Sequence, residues 1–183
     1  MRIIKSLRKD QETILRFLDA FGGGAAALGA SSKHAHPAYF LSASAFIHEY
    51  IEESFFKKEE LLLKALENCG FPPEDGAIAA MRNEQEKSRK TAELLMQASK
   101  EWQAGDDGAR VEVGWAASEY STTLRQNLTR LKNLVFPLLE QNISPDEDQK
   151  VTEELGNIGA VKSETEQYNK LIEMLEEELS DWR

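Results

Sequence analysis

The spacing of apolar residues constrains this chain more than any other feature of its sequence. They recur at intervals of three and four residues through most of the chain, and the first such stretch holds Ile4, Leu7, Ile14, Leu15 and Leu18. This period places the apolar side chains on one face of an α-helix. We find no segment in which apolar and polar residues alternate as they do in a β-strand. The sequence therefore predicts an all-α protein.

Glycine and proline divide the helical pattern into segments. GFPPEDG and AGDDG separate long helical stretches, and a glycine-rich segment over residues 21–38 is predicted to be a loop. Four long helices with short connections predict an up-down-up-down four-helix bundle in a single domain, 1–183. Residues 144–183 are predicted to add short C-terminal helices, with Ser144 as an N-cap before Pro145. The predicted long helices cover residues 3–21, 40–69, 77–102 and 111–141.

The charge balance narrows the classes of partner. The chain of 183 residues carries a formal net charge of -10, which argues against nucleic acid or an anionic membrane surface as a partner. No apolar run is long enough for a transmembrane helix. Cys69 is the single cysteine, so no internal disulfide is possible, and this composition favours a reducing compartment. The expected location is therefore the cytoplasm.

Two acidic residues stand inside the second predicted helix, in the segment SFFKKEELLLKAL at residues 54–66. Glu59 falls four residues after Phe55 and therefore shares its apolar face. Glu60 lies about 100° further round the helix and is expected at the rim. A buried carboxylate needs polar partners, because removing its charge from water is costly. We expect Glu59 to point into the core and to find such partners there.

Three long stretches resemble one protein family. FIHEYIEESFFKKEELLLKALENCGFPPEDGAIAAMRNEQEKSRKTAELL is similar to the second and third helices of the hemerythrin-like (HHE cation-binding) family. YSTTLRQNLTRLKNLVFPLLEQNISPDEDQ resembles the fourth helix and the turn after it, and ELGNIGAVKSETEQYNKLIEML resembles a C-terminal extension. The resemblance implies a four-helix bundle that holds two iron ions between histidines and carboxylates.

The resemblance also implies where those ligands would stand in this chain. Most positions carry a residue of another type, and only the second-helix glutamate keeps its chemistry. The implied positions are Gln11 in the first helix, Phe55, Phe56, Glu59 and the adjacent Glu60 in the second, Gln85 in the third, and Asn127 and Leu131 in the fourth. Amides are poor ligands for transition metals, and phenylalanine and leucine cannot bind them. We therefore predict a kept fold, no metal cofactor, and a small polar network in place of the metal.

Three functional hypotheses remain. The first is a structural or interaction protein that has no catalytic site. The second is a module in which the vacated polar pocket binds a small molecule or a single ion. The third is a di-iron protein that binds or senses oxygen or iron, as the family resemblance implies. The histidines His34, His36 and His48 are expected to be packed or solvated rather than metal-bound, and we identify no catalytic triad.

Overall fold

The computed structural model describes residues 1–30, 33–158 and 162–182. Every regular element in these ranges is a helix, as the sequence predicts. The elements are α1 (Arg2–Gly29), α2 (Pro37–Phe46), a first π-helix (Ile47–Phe55), α3 (Phe56–Asn68), α4 (Gly76–Gln103), α5 (Ala109–Arg130), a second π-helix (Leu131–Val135), α6 (Phe136–Asn142), α7 (Pro145–Leu155) and α8 (Lys162–Asp181).

Four long helical rods form the bundle. The first rod is α1, and the third is α4. The second runs without a break from α2 through the first π-helix into α3, and the fourth runs from α5 through the second π-helix into α6. The third rod packs along the second and fourth, and α1 closes the arrangement against α5 and α3. No helix in the described ranges is long and apolar enough to cross a membrane.

Two π-helical segments depart from the uniform α-helical period that the sequence analysis assumes. In the first, the N–H of Phe56 donates to the carbonyl of Ile51, five residues back. In the second, the N–H of Phe136 donates to the carbonyl of Leu131. Pro137 follows directly and has no N–H to donate to Asn133. The first π-helix ends at Phe55, and Phe55 and the next residue, Phe56, are both buried.

The predicted loop over residues 21–38 is wrong for most of its length. Helix α1 continues through the glycines to Gly29, and α2 begins at Pro37. Close packing explains why glycine is used inside a helix here. A β-carbon on Gly24 would lie 2.9 Å from Cζ of Tyr39, and one on Gly23 would overlap Leu179 of α8. The glycines therefore let neighbouring helices approach α1 closely.

The outward side of the bundle carries two leucines, and one of them, Leu15, belongs to the apolar pattern of the first predicted helix. Leu15 and Leu134 are each 41% exposed, while their neighbours Ile14 and Val135 are fully buried. An apolar pair can place only one member at the centre of a helix face, because adjacent residues lie about 100° apart.

The C-terminal helices dock on the bundle. Helix α7 packs against α3 and α1, and α8 packs against α1 and α2. The hydroxyl oxygen of Ser144 accepts the N–H of Glu147 at 3.2 Å, so it caps α7 as predicted. Ile172, Leu175 and Trp182 bury their side chains against the bundle, which makes residues 145–182 part of the same core in the described ranges.

Candidate functional site

Glu59 points into the bundle core, as predicted. Helix α3 places its side chain at 0% exposure. Its Oε1 accepts two amide N–H groups, from Nε2 of Gln85 at 3.0 Å and from Nδ2 of Asn127 at 3.2 Å. The three residues come from α3, α4 and α5, so one carboxylate oxygen joins three of the four rods.

Burial controls the protonation of this carboxylate. Desolvation raises the pKa of Glu59 to about 8, and the two amide hydrogen bonds offset only part of that rise. The side chain is therefore mostly protonated at neutral pH. Because Oε1 already accepts two N–H groups, the proton belongs on Oε2. Oε2 has no hydrogen-bond partner in the described ranges, and neither has Oδ1 of Asn127.

The remaining positions implied by the resemblance take separate places around this cluster. Gln11 is buried on α1, but its Nε2 donates to the carbonyl of Leu128 at 3.1 Å rather than to Glu59. Phe55, Phe56 and Leu131 are at most 1% exposed and occupy core volume with apolar groups. Of the three amides that the resemblance implies at this position, Gln85 and Asn127 bind Glu59, whereas Gln11 binds a backbone carbonyl.

Glu60 lies at the rim, as expected. Its carboxylate pairs with Arg82 on α4 at 2.7 Å, and Arg82 also contacts Glu67, about two turns further along α3. All three side chains are about one third exposed. Glu60 therefore takes part in a surface ion-pair network between α3 and α4, and it does not reach the interior cluster.

Three further buried hydroxyl groups were not predicted from the sequence. Ser88, Tyr120 and Thr123 are at most 2% exposed, and their oxygens have no partner among the described residues. The helical period could have identified them. Ser88 lies three residues after Gln85, and Tyr120 and Thr123 lie seven and four residues before Asn127, so each shares a face with an amide of the cluster.

A second buried polar cluster was also missed. Lys58 Nζ lies 2.7 Å from Oδ2 of Asp10, and the hydroxyl of Tyr50 donates to the other oxygen of Asp10 at 2.9 Å. Burial is the main cause that raises the pKa of Tyr50, so its hydroxyl stays protonated. This cluster joins α1 to the second rod. No sequence pattern pointed to it, because Asp10 and Lys58 both fall in charged stretches.

A comparison with the profiles of known protein families shows which family this chain belongs to. The profile described as the Hemerythrin HHE cation binding domain matches residues 2–139. The chain belongs to this family. The matched range covers the four rods of the bundle except the last residues of α6, and it leaves α7 and α8 outside. No curated protein and no solved structure gives a significant match.

The name of the family implies a bound cation. Whether this hemerythrin-domain protein can bind one in its core depends on which side chains there could act as metal ligands. The described ranges contain no group of three or more His, Cys, Asp or Glu side chains that could hold a metal ion. At the core position the donors are one carboxylate and two amides, and both amides already donate to the carboxylate. Iron prefers imidazole and carboxylate ligands. These residues do not fit a di-iron centre.

The histidines lie outside the core. Nδ1 of His48 stands 3.5 Å from Oε2 of Glu52, and its side chain is 63% exposed. It therefore pairs with Glu52 and not with Glu59. His36 precedes α2 and packs edge-on against Trp182, with ring centroids 5.5 Å apart.

Cys69 is partly exposed, and its Sγ lies 3.4 Å from the carbonyl of Asn142.

Proposed function

We propose that this protein is a hemerythrin-family bundle without a di-iron centre, and that it acts as a non-catalytic interaction or small-ligand-sensing protein. In this proposal, the protein retains the four-helix bundle of the family and has lost its iron ligands. The single free cysteine supports the cytoplasm as the proposed compartment.

The observation that carries the proposal is the environment of Glu59. A carboxylate that bridged iron would be ionised, and cationic metal would stabilise its charge. Here the carboxylate is fully buried, and its Oε1 accepts two neutral amide N–H groups, from Gln85 and Asn127. A neutral, hydrogen-bonded carboxyl group links α3, α4 and α5 and so replaces the metal as a connection between rods.

The chemistry of the other core positions supports the same proposal. Phe55, Phe56 and Leu131 place apolar side chains where the family resemblance implies ligands, and each is buried. A nucleophile or general base needs an accessible position next to a reacting group. Glu59 is fully enclosed and Tyr120 is buried beside it without a partner in the described ranges, which favours a structural role for both.

Iron analysis tests the proposal. The protein, produced without a histidine tag in iron-supplemented medium, is expected to contain less than one iron per chain and to show no absorption from an oxo-bridged di-iron centre. Glu59→Gln and Glu60→Gln are a matched pair, since each removes one carboxylate from α3. Equal, low iron contents in all three proteins are expected. Two tightly bound irons per chain, lost in Glu59→Gln but kept in Glu60→Gln, would overturn the proposal.

A further inference from the structure

A cleft of about 260 Å³ opens between the first π-helix and α4. We call it the π-helix cleft. None of the positions implied as family ligands lines it, so it is distinct from the core position of Glu59. Its volume lies below the roughly 300–1,000 Å³ of clefts that take drug-sized ligands. Only a small molecule can fit. Its polar lining includes His48, Glu52, Arg89 and Glu93, and its apolar lining includes Ile47 and Met96.

Arg89, an exposed residue of α4, supplies a cation that lies against an aromatic ring. Its Cζ lies 5.4 Å from the centroid of the Phe56 ring, a distance that allows a cation–π interaction. Arg89 and Glu93 lie four residues apart on α4, yet among the described residues they form no salt bridge. The contact with Phe56 favours one placement of the exposed guanidinium, and no salt bridge within the described residues occupies its N–H donors.

The carboxylates of the cleft provide the opposite charge at separate positions. Glu52 is 18% exposed and stands 3.5 Å from His48 Nδ1. Burial is the main cause that raises the pKa of Glu52, and the hydrogen bond from His48 opposes it. Glu93 is exposed and has no ion-pair partner among the described residues. The cleft thus presents separated positive and negative groups.

We propose that the π-helix cleft binds a small zwitterion of the α-amino acid class. The guanidinium of Arg89 matches a carboxylate, which it binds with paired N–H donors. Glu52 and Glu93 match an ammonium group, and Ile47 and Met96 provide an apolar surface for a short side chain. This inference goes beyond the proposed function, because it assigns a ligand class to a cleft outside the core. Whether the core position of Glu59 binds iron does not affect it.

The charges of the cleft disfavour the simpler ligand classes. A plain amine would place its charge beside Arg89 without a partner for the guanidinium, and a plain carboxylate would face Glu52 and Glu93. The backbone adds a second line of support, because π-helical segments inside α-helices are frequent at functional sites. Ile47, His48 and Glu52 all belong to the first π-helix.

Binding measurements with defined probes test the proposal. Each standard L-amino acid is added separately in a thermal-shift assay, and those that stabilise the protein are measured by titration calorimetry. At least one with a short apolar side chain is expected to bind. Its methyl ester lacks the carboxylate and its N-acetyl derivative lacks the ammonium, so each is expected to bind at least about tenfold more weakly, which equals about 1.4 kcal/mol.

Variants on α4 locate the binding. Arg89→Gln and Glu93→Gln are each expected to weaken binding of that amino acid at least about tenfold. Lys90→Gln is the matched control for Arg89→Gln, because Lys90 is the adjacent exposed cation, pairs with Glu86 at 3.5 Å and does not line the cleft. It is expected to bind as the unmodified protein does. The proposal is overturned if no amino acid binds, if the methyl ester binds equally well, or if both cleft variants retain full affinity.

Discussion

At the scale of single residues, the balance of forces at Glu59 explains its protonation. Removal from water disfavours the charged form of a carboxylate, and hydrogen bonds to it favour that form. Two amide donors reach Oε1, no Lys or Arg side chain in the described ranges forms an ion pair with it, and the pKa rises from its ordinary value of 4.5 to about 8. Desolvation therefore exceeds hydrogen bonding at this position.

This raised pKa predicts how stability depends on pH. Between about pH 4.5 and pH 8 the unfolded chain has lost the proton of Glu59 while the folded chain still holds it. The contribution of Glu59 to stability is fully present below the unfolded pKa and is lost as pH rises through the folded pKa. Glu59→Gln removes this titration and keeps the shape. It is expected to be neutral or stabilising by roughly 0–2 kcal/mol near pH 7, with a growing advantage towards pH 8.

Urea denaturation of both proteins at about pH 5 and about pH 8 measures the effect through the free energy of unfolding. Glu60→Gln is the control, since it breaks a partly exposed ion pair with Arg82 and is expected to cost about 0.2–1 kcal/mol. It leaves the titration of Glu59 in place. A loss of more than about 2 kcal/mol for Glu59→Gln at pH 8 would mean that the carboxylate is ionised and needed.

The inward position of Glu59 could be predicted from the sequence, whereas its surroundings could only partly be predicted. The four-residue spacing from Phe55 fixed the face of α3, and the family resemblance pointed to Gln85 and Asn127. Gln11 was assigned to the same cluster, but it donates to the carbonyl of Leu128. A residue's partner depends on the approach and rotation of neighbouring helices, and a helical period carries no information about either.

At the scale of elements, glycine was the main source of error. Glycine lowers helix propensity by about 1 kcal/mol relative to alanine, so three in succession predicted a loop. Tertiary packing outweighs that preference in α1. Tyr39 lies against Gly24, its ring is fully buried, and its hydroxyl donates to the carbonyl of Ala20 at 2.6 Å. The sequence contains no sign of this contact, because Tyr39 lies 15 residues away in the next rod.

Two alanine substitutions in α1 separate propensity from packing. A β-carbon at Gly22 meets no atom within 4 Å, so Gly22→Ala is expected to stabilise the protein by about 0.5–1 kcal/mol. A β-carbon at Gly24 would lie 2.9 Å from Cζ of Tyr39, and the buried ring cannot move aside freely. Gly24→Ala is expected to cost about 1–3 kcal/mol.

Thermal and urea unfolding of the two variants gives the comparison directly. They carry the same change two residues apart in one helix, so each is the control for the other. If residues 21–29 formed the predicted loop, both substitutions would have small and similar effects. An equal response to Gly22→Ala and Gly24→Ala would therefore contradict the close contact between α1 and α2.

At the scale of the whole molecule, the four rods and their order were predictable and the π-helices were not. Breaks at GFPPEDG and AGDDG mark the ends of the rods, because proline and glycine act locally. A π-helix changes the hydrogen-bond register without a comparable local signal. The first π-helix ends at Phe55, and the next residue, Phe56, is buried and lies against Arg89 of the π-helix cleft.

The C-terminal helix extends the bundle beyond the range of the family match, which ends at residue 139. Trp182 is 8% exposed and packs on the aromatic residues at the start of the second rod, with its ring 4.7 Å from that of Tyr39 and 6.4 Å from that of Phe40. Leu179 of α8, which ends one residue before Trp182, lies against Gly23. Helix α8 thus covers the junction between α1 and α2, where the glycines allow close approach.

If α8 is part of one cooperative core, removing its anchor should destabilise the whole protein. Trp182→Ala is expected to cost about 3 kcal/mol, the lower end for an aromatic residue replaced in a core, because α8 is an outer helix. Met174→Ala is the control on the same helix, since Met174 is 43% exposed, and it is expected to stay within about 0.5 kcal/mol. Urea unfolding followed by far-UV circular dichroism and by tryptophan fluorescence should show one coincident transition that shifts in Trp182→Ala alone. Two separate transitions, or an unchanged midpoint in Trp182→Ala, would mean that α8 folds and detaches independently of the four rods.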